Sequence, residues 1–229
     1  MSIGYIILCR FNSSRLPGKI LRKINGKPLL EIILDRLEPL GRENIILATS
    51  TESTDDPIAD WCKLNGVKFY RGSLDNVAER FLKAARWGNF DYAVRINGDN
   101  LFADGELIKS LAERAASQHL DFLSNVPQRT FPTGMSIEVV KTDFYESSMQ
   151  KFNEEKYFEH VTLYFYEHPE ILGAHEFVTN TALPFATGMK MAIDTEEDFK
   201  KAEKIMNILG AEYKTADWKK IVQLNKELL

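Results

Sequence analysis

Apolar residues fall along this chain in two alternating patterns. Ile3 to Leu8, Asn44 to Ser50, Val67 to Tyr70 and Asp91 to Ile96 are short, mostly apolar runs bounded by polar or glycine-bearing segments, and they read as buried strands. Between them the apolar positions recur at three- and four-residue intervals. Leu29, Leu30, Ile33, Leu34 and Leu37 share one face of a helix that begins at Pro28, whose fixed φ suits a first helical position. Ile58, Trp61 and Cys62 do the same in a helix capped by Asp56, opened by Pro57 and ended by Gly66. Val77, Ala78, Phe81, Leu82 and Ala85 mark a third helix. Leu107, Ile108, Leu111, Ala112 and Ala115 mark a fourth, capped by Asp104. Strands that alternate with helices this regularly predict right-handed βαβ units and an α/β fold with a mostly parallel sheet. Ligands in such sheets bind beyond the strands' carboxyl ends, so the loops after the strands are where chemistry is expected.

The pattern continues with a strand over Asp121 to Asn125, a loop from Pro127 to Thr133, and an alternating stretch, Gly134 to Val140, that reads as a half-buried strand. Tyr157, Val161, Tyr164 and His168 predict one helix from about Asn153 to His168. Thr179 to Gly188 is irregular, and Lys190 to Ile193 reads as a strand. Phe199, Ala202, Ile205, Met206 and Leu209 then mark a helix, and Trp218, Ile221 and Val222 a last one over about Ala216 to Leu228. Nothing repeats and no linker splits the chain, so residues 1–229 are expected to form a single domain.

Against this framework the loop Cys9 to Lys19 stands out. Arg10, Arg15 and Lys19 offer charge-assisted donors, and Ser13, Ser14 and the Gly18 backbone allow close approach to phosphate oxygens. A polyphosphate site and a solvated basic loop both fit that composition. The spacing is not that of a Walker A loop, because one glycine precedes the lysine and no Ser or Thr follows it. Asp99 follows Gly98 at a strand end, where a carboxylate is either a hard oxygen ligand for Mg²⁺ or a turn residue bonding its own backbone. Arg71, just past a strand, reads as a base or phosphate contact or as surface. His160 on a helix face reads as a structural group or a ligand contact. Around Asp194, either Thr195 with Asp198 or Asp194 with Glu197 forms a cap for the following helix.

Composition narrows the functional classes. A net charge of −4 argues against general nucleic-acid binding, so the cations that matter are local. Two cysteines, Cys9 and Cys62, are too few for a disulfide framework and lie wrong for a metal knuckle; both are expected to be reduced and structural. No run reaches the roughly 18 apolar residues of a membrane span, and no basic-then-apolar leader opens the chain. A soluble, cytoplasmic protein is expected.

The string Arg10-x-x-Ser13-x-Arg15-Leu16-Pro17-Gly18-Lys19, followed by Gly26-Lys27-Pro28-Leu29-Leu30-Glu31, resembles the N-terminal signature of the cytidylyltransferase family. That family includes the CMP-acylneuraminate and CMP-3-deoxy-octulosonate synthetases and the spore-coat-polysaccharide-type proteins, and the chain looks most like the last group. The resemblance implies a Rossmann-like, glycosyltransferase-A-like three-layer nucleotidyltransferase fold in which the first loop wraps the triphosphate of CTP. Other segments carry it further. Arg71 and Arg80 match a stretch near base and ribose, although Asn76 stands where an acid is common. Arg95-Ile96-Asn97-Gly98-Asp99 matches the segment whose Asp binds the metal, and Asp194 the first Asp of an Asp-Thr-Pro-Glu-Asp element that completes that site. Pro132, Gly134 and Glu138 match an acceptor-lining segment in which Ser136 replaces an acid. His160 and Thr162 match a Glu-His-Val-Thr element near the acceptor, beside which Phe158 replaces a common arginine. Lys190 keeps a positive charge where arginine is frequent.

By this resemblance Arg10, Arg15 and Lys19 neutralise the β- and γ-phosphates, and Mg²⁺ held by Asp99 and Asp194 activates the α-phosphate. Arg10, Lys19 and Asp99 are the expected catalytic residues. Ser13, Ser14, Arg15, Gly18, Arg71, Arg80, Gly98, Glu138, His160, Thr162 and Lys190 are the expected substrate contacts. The partners implied are CTP and an anionic small-molecule acceptor, with a homodimer by family analogy. A glycosyltransferase using a sugar nucleotide and a non-catalytic nucleotide-binding relative are the alternatives; Gly98-Asp99-Asn100 is not the Asp-x-Asp metal motif common in the former.

Overall fold

The computed structural model of the protein describes residues 1–13 and 15–228. Strand β1 (Ile3–Leu8) leads through a short hairpin, β2 (Lys23–Ile24) and β3 (Lys27–Pro28), into α1 (Leu29–Arg36). Then follow β4 (Ile45–Ser50), α2 (Asp56–Leu64), β5 (Phe69–Gly72), α3 (Val77–Trp87), β6 (Tyr92–Asn97) and α4 (Gly105–Ser117). The second half holds β7 (Phe122–Ser124), β8 (Glu138–Lys141), α5 (Thr142–Met149), α6 (Glu155–Glu159), α7 (Leu163–Glu167), β9 (His175–Phe177), α8 (Glu196–Leu209) and α9 (Trp218–Glu227). The main sheet has seven strands in the order β5-β4-β1-β6-β8-β7-β9. All run in one direction except β8, which is antiparallel to both of its neighbours. This is the mostly parallel α/β sheet that the alternation of patterns predicts.

Because side chains alternate across a strand, each strand feeds two cores. Tyr5 and Ile7 of β1 join α1, α2, α4, α8 and α9 on one face, whereas Ile6 and Leu8 join α3, α5, α6 and α7 on the other. That double burial explains why the strands read as continuous apolar runs. The C-terminal helices are tied across the first layer by two buried polar groups. Arg36 donates to the carbonyls of Ala103 (3.0 Å), Ala216 (3.1 Å), Phe102 (3.5 Å) and Tyr213. Burial pushes its pKa down to about 10, against the pull of Asp104 and Asp217, so it is charged at neutral pH. Asp104 caps α4 by accepting from the Leu107 amide at 3.0 Å and, through its other oxygen, accepts from the Trp218 amide at 2.7 Å.

Several elements differ from the pattern reading, each for a tertiary reason. Asp56 does not cap α2; it is the first helical residue, and its carboxylate pairs with Arg71 at 2.7 Å. Strand β5 lies two residues beyond the expected Val67 to Tyr70, so Arg71 sits within the strand. The Gly134 to Val140 stretch joins the ladder only from Glu138, because Gly134 turns at φ +97°, where a Cβ would come within 2.4 Å of the Ala192 nitrogen. Lys190 to Ile193 is not a strand. Lys190 makes one bridge to Thr133, whose carbonyl accepts from both Met191 and Ala192. The expected helix over 153–168 breaks into α6 and α7 at His160-Val161-Thr162, where the Val161 carbonyl accepts from Tyr145 at 2.7 Å and the Thr162 hydroxyl is drawn to Glu138.

Arg36→Met leaves four buried carbonyls short of a donor and is expected to destabilise the protein by about 3 kcal/mol. That corresponds to a melting temperature roughly 6–12 °C lower by circular dichroism. A change of a degree or less would show that these carbonyls find other partners.

Candidate active site

A cavity of about 780 Å³ opens at the carboxyl ends of β1 and β6. Five structural units wall it: the loop after β1, the β5–α3 connection, the end of β6 with the turn beyond it, helix α6 with the residues after it, and the segment before α8 that carries Asp194.

The loop after β1 is held from outside by one carboxylate. Asp55 accepts from the Phe11 amide at 2.7 Å, from Thr49 Oγ1 and the Ser50 amide at 2.9 Å, and from Ser50 Oγ at 2.5 Å. Burial alone would raise the pKa of this carboxyl, but the hydrogen bonds from Ser50, Phe11 and Thr49 outweigh it and hold it below its ordinary value. The Phe11 carbonyl then accepts from the Ser13 and Gly18 amides at 2.9 and 2.8 Å, which closes the loop on itself. Gly18 makes the return at φ +69°, with the Phe11 ring 3.1 Å from where a Cβ would lie. Arg10, Ser13, Arg15 and Lys19 thereby face the cavity.

Lys19 is buried at the cavity floor. Its ammonium donates to the Ile193 carbonyl at 2.6 Å and lies 3.5 Å from both Asp99 Oδ2 and Asp194 Oδ1. Arg15 reaches the same Asp194 oxygen at 2.9 Å, and Lys190 the other at 3.3 Å. The two alternatives for the α8 cap resolve in favour of Thr195 with Asp198, whose side chains and amides bond reciprocally. That leaves the Asp194 carboxylate to the cavity. Gly98 seats Asp99 against the first loop. Its amide donates to the Leu8 carbonyl at 2.8 Å, and a Cβ would lie 2.7 Å from that of Cys9.

Arg80 and Arg95 line the cavity as well. Arg80 of α3 donates to the carbonyls of Ser73 and Leu74, shaping the β5–α3 connection, and its Nε is buried without a partner among the described residues. Arg95 projects from β6 and pairs through Nη1 with Glu138 of β8, its cross-strand partner. Thr162 and Tyr166 also donate to Glu138, the latter at 2.6 Å, and Ser124 bonds Tyr166 at 2.7 Å. Burial would raise the Glu138 pKa, but Arg95, Thr162 and Tyr166 together keep it below the usual carboxylate range.

Of the residues singled out from the sequence, Arg10, Ser13, Arg15, Lys19, Arg80, Gly98, Asp99, His160 and Asp194 line this cavity. Ser14 lies outside the described residues. Gly18 shapes the loop from behind. Arg71 stands off the cavity, donating to the carbonyls of Ser50 at 2.7 Å and Glu52 at 2.8 Å, because its strand lies two residues further along than the pattern suggests and takes Arg71 into the ladder. Glu138 and Thr162 are buried behind Arg95, and Lys190 is spent on Asp194 and Asp198. Asp55, which anchors the first loop, and Arg95, which lines the cavity, are the positions that the pattern reading passed over. A charged residue inside an otherwise apolar strand was the available signal for Arg95; Asp55, next to a stronger cap candidate, gave none.

No group of three or more metal-ligating side chains exists among the described residues. Asp99 and Asp194 form a convergent pair instead. Such a pair suits Mg²⁺, which keeps several waters and takes its remaining ligands from a substrate's phosphates.

A mostly parallel α/β sheet with a cationic loop after its first strand and paired carboxylates beside it is suited to holding a nucleotide's phosphates, and a family match makes the chain a nucleotidyltransferase. The sequence makes the assignment finer: the family described as "Cytidylyltransferase" matches residues 5–225, and the chain belongs to it. It is 31% identical over 214 residues to the spore coat polysaccharide biosynthesis protein SpsF of Bacillus subtilis, covering 91% of this chain and 88% of that one. A cytidylyltransferase from Leptospira borgpetersenii superposes with a TM-score of 0.91 at 28% identity, covering all of this chain and 95% of the other. A CMP:2-keto-3-deoxy-manno-octonic acid synthetase complexed with CTP shares the fold, with a TM-score of 0.67 at 16% identity over 91% of this chain and 99% of that one. No helix of the described residues is long and apolar enough to cross a membrane.

Asp55→Asn should loosen the first loop and cost about 2 kcal/mol at neutral pH. Since the folded-state pKa is depressed, that contribution is full above the ordinary value of 3.8 and is lost as pH falls through the lower folded value. Melting curves of the two proteins are therefore expected to differ by a constant amount from pH 5 to 8 and to draw together as pH falls below 3.8 and on through the lower folded value. A gap that does not narrow at all below pH 3.8 would assign the effect to shape, not charge.

Proposed function

We propose that this enzyme transfers CMP from CTP to an acidic sugar or other anionic acceptor, releasing pyrophosphate, with Mg²⁺ as cofactor, in the synthesis of surface-polysaccharide or glycan precursors. The convergence of Lys19 and Arg15 on Asp99 and Asp194, at the floor of a cavity ringed by further cations, is the observation that carries this reading. Family membership and the polysaccharide role printed in the name of the Bacillus subtilis relative support the base and the pathway class.

In-line displacement at the α-phosphorus needs three things: a neutralised leaving group, an activated phosphorus and an oriented nucleophile. Arg10, Arg15 and Lys19 take the first task, with Ser13 beside them. Mg²⁺ on Asp99 and Asp194 would supply the charge that makes the α-phosphate electrophilic. Lys19, held by the Ile193 carbonyl at 2.6 Å, keeps its ammonium 3.5 Å from both carboxylates, where it can also donate to a phosphate oxygen. The β5–α3 connection with Arg80 takes base and ribose. Helix α6 and His160 face the acceptor.

Melting the protein with CTP, UTP, ATP or GTP, each with Mg²⁺ or with chelator, tests the reading. CTP with Mg²⁺ at a hundred times Kd should stabilise by about 2.7 kcal/mol, roughly 5–10 °C for a chain of this size. Equal shifts with all four triphosphates would remove the base assignment, and a shift that survives chelation would remove the metal. Asp99→Asn is expected to cut pyrophosphate release by about 10²–10³-fold while the unliganded protein melts within a few degrees of the wild type.

A further inference from the structure

The ion pair of Arg95 with Glu138 poses a question that stability does not answer. Glu138 is 2% exposed and accepts three hydrogen bonds, from Arg95, Thr162 and Tyr166. Buried ion pairs generally add little over apolar side chains of the same volume, so packing alone gives no reason for one here. Yet the network is layered for position. Arg95, Glu138 and Ser124 stand side by side on β6, β8 and β7, and α7 sends Thr162 and Tyr166 down onto the same carboxylate. Everything in the cluster fixes one carboxylate, and that carboxylate fixes one guanidinium.

Among the described residues, only Nη1 of that guanidinium has a partner. Nε is buried without a partner among the described residues, and Nη2 makes no hydrogen bond among them, although Arg95 lines the cavity. Nη1 is held by Glu138 and Nε is enclosed, so Nη2 is the nitrogen left to the cavity, and a fixed guanidinium that offers a charged N–H there can donate to a carboxylate, phosphonate or phosphate oxygen. Its place in the sheet separates it from the nucleotide's cations. Arg10, Arg15 and Lys19 come from the loop after β1, whereas Arg95 comes from β6, between β1 and β8, and Phe158 and His160 line the same cavity.

Resting on the cytidylyl-transfer reading above, we infer that Arg95 binds the anionic group of the acceptor, and that Glu138, Thr162 and Tyr166 are positioning residues that aim it. The acceptor then presents an oxyanion to Arg95 and its nucleophilic oxygen to the α-phosphorus beside Asp99. Phe158 leaves the α6 wall without a cation at that position, so Arg95 supplies the anion contact from the sheet instead of from the helix.

Titration calorimetry separates the two bound species without knowledge of the natural acceptor. The protein is first saturated with Mg²⁺ and a CTP analogue bridged by a methylene between the α- and β-phosphorus, which occupies the loop cations. Methylphosphonate and acetate are then titrated in. Arg95→Met is expected to weaken methylphosphonate binding at least tenfold while the Kd of the CTP analogue stays within twofold. Because that variant strands Glu138, Arg95→Met/Glu138→Gln is measured alongside and is expected to behave the same. Arg95→Lys should recover part of the affinity, since an ammonium supplies the charge but not the fixed N–H. Tyr166→Phe should weaken methylphosphonate about threefold with the analogue's Kd unchanged, while the melting temperature falls by a few degrees for the bond that Glu138 loses. The inference is overturned if the wild-type complex binds neither small anion, or if the Arg95 variants lose the CTP analogue and keep methylphosphonate. A wild-type protein that takes up no CTP analogue would sink the cytidylyl-transfer reading first, and this inference with it.

Discussion

Four hydrogen bonds into the Asp55 carboxylate hold the site together. A loop dense in positive charge has every electrostatic reason to splay, and a chain that returns on itself at Gly18 has little regular structure to resist. Asp55 counters both at once. It is an anion beneath a cationic loop, and it clasps the Phe11 backbone to the end of β4 through Thr49 and Ser50. The arrangement stays in place because the carboxylate remains ionised throughout the range in which proteins function. Lys19 is the second anchor. Its contact with the Ile193 carbonyl joins the beginning of the chain to the segment before α8, so the two aspartates are brought to the loop by the lysine between them.

The α/β class, the parallel half of the sheet and most helices were legible because they rest on local spacing. Ile3 to Leu8 is apolar throughout because it is covered on both faces, and the α4 residues from Leu107 to Ala115 repeat at helical intervals for the same physical reason. Errors gathered where a long-range contact outbid local preference. A good helical pattern over 153–168 gave way at Val161 and Thr162, because Tyr145 and Glu138 claimed their polar groups. Lys190 to Ile193 has strand composition, but the Thr133 carbonyl captures two successive amides and no ladder forms.

The site was legible at the residues that carry recognisable chemistry and hidden at those that carry the geometry. Arg10, Lys19, Asp99 and Asp194 stand in short motifs whose spacing is informative. Asp55 and Arg95 act through partners far away in sequence, Phe11 for the first and Glu138 for the second, and no window of local pattern contains both members. Glu138 shows the same limit in reverse. Its motif pointed to the acceptor, and the structure places its carboxylate one layer behind, on the arginine that faces the cavity.

The reversal of β8 has a consequence for how this sheet can be built. In a wholly parallel sheet only the last residues of each strand reach the ligand face. Here Glu138, the first residue of its strand, meets Arg95 near the end of β6, so the chain's approach from 130–137 comes in over the cavity side of the sheet. Side-chain alternation makes that meeting unforgiving. A slip of one residue along β8 would drive Glu138 into the apolar layer shared with α4 and leave Ile137 or Val139 opposite the guanidinium. The buried charge pair therefore selects one pairing of β6 with β8 among those that backbone hydrogen bonding alone would accept.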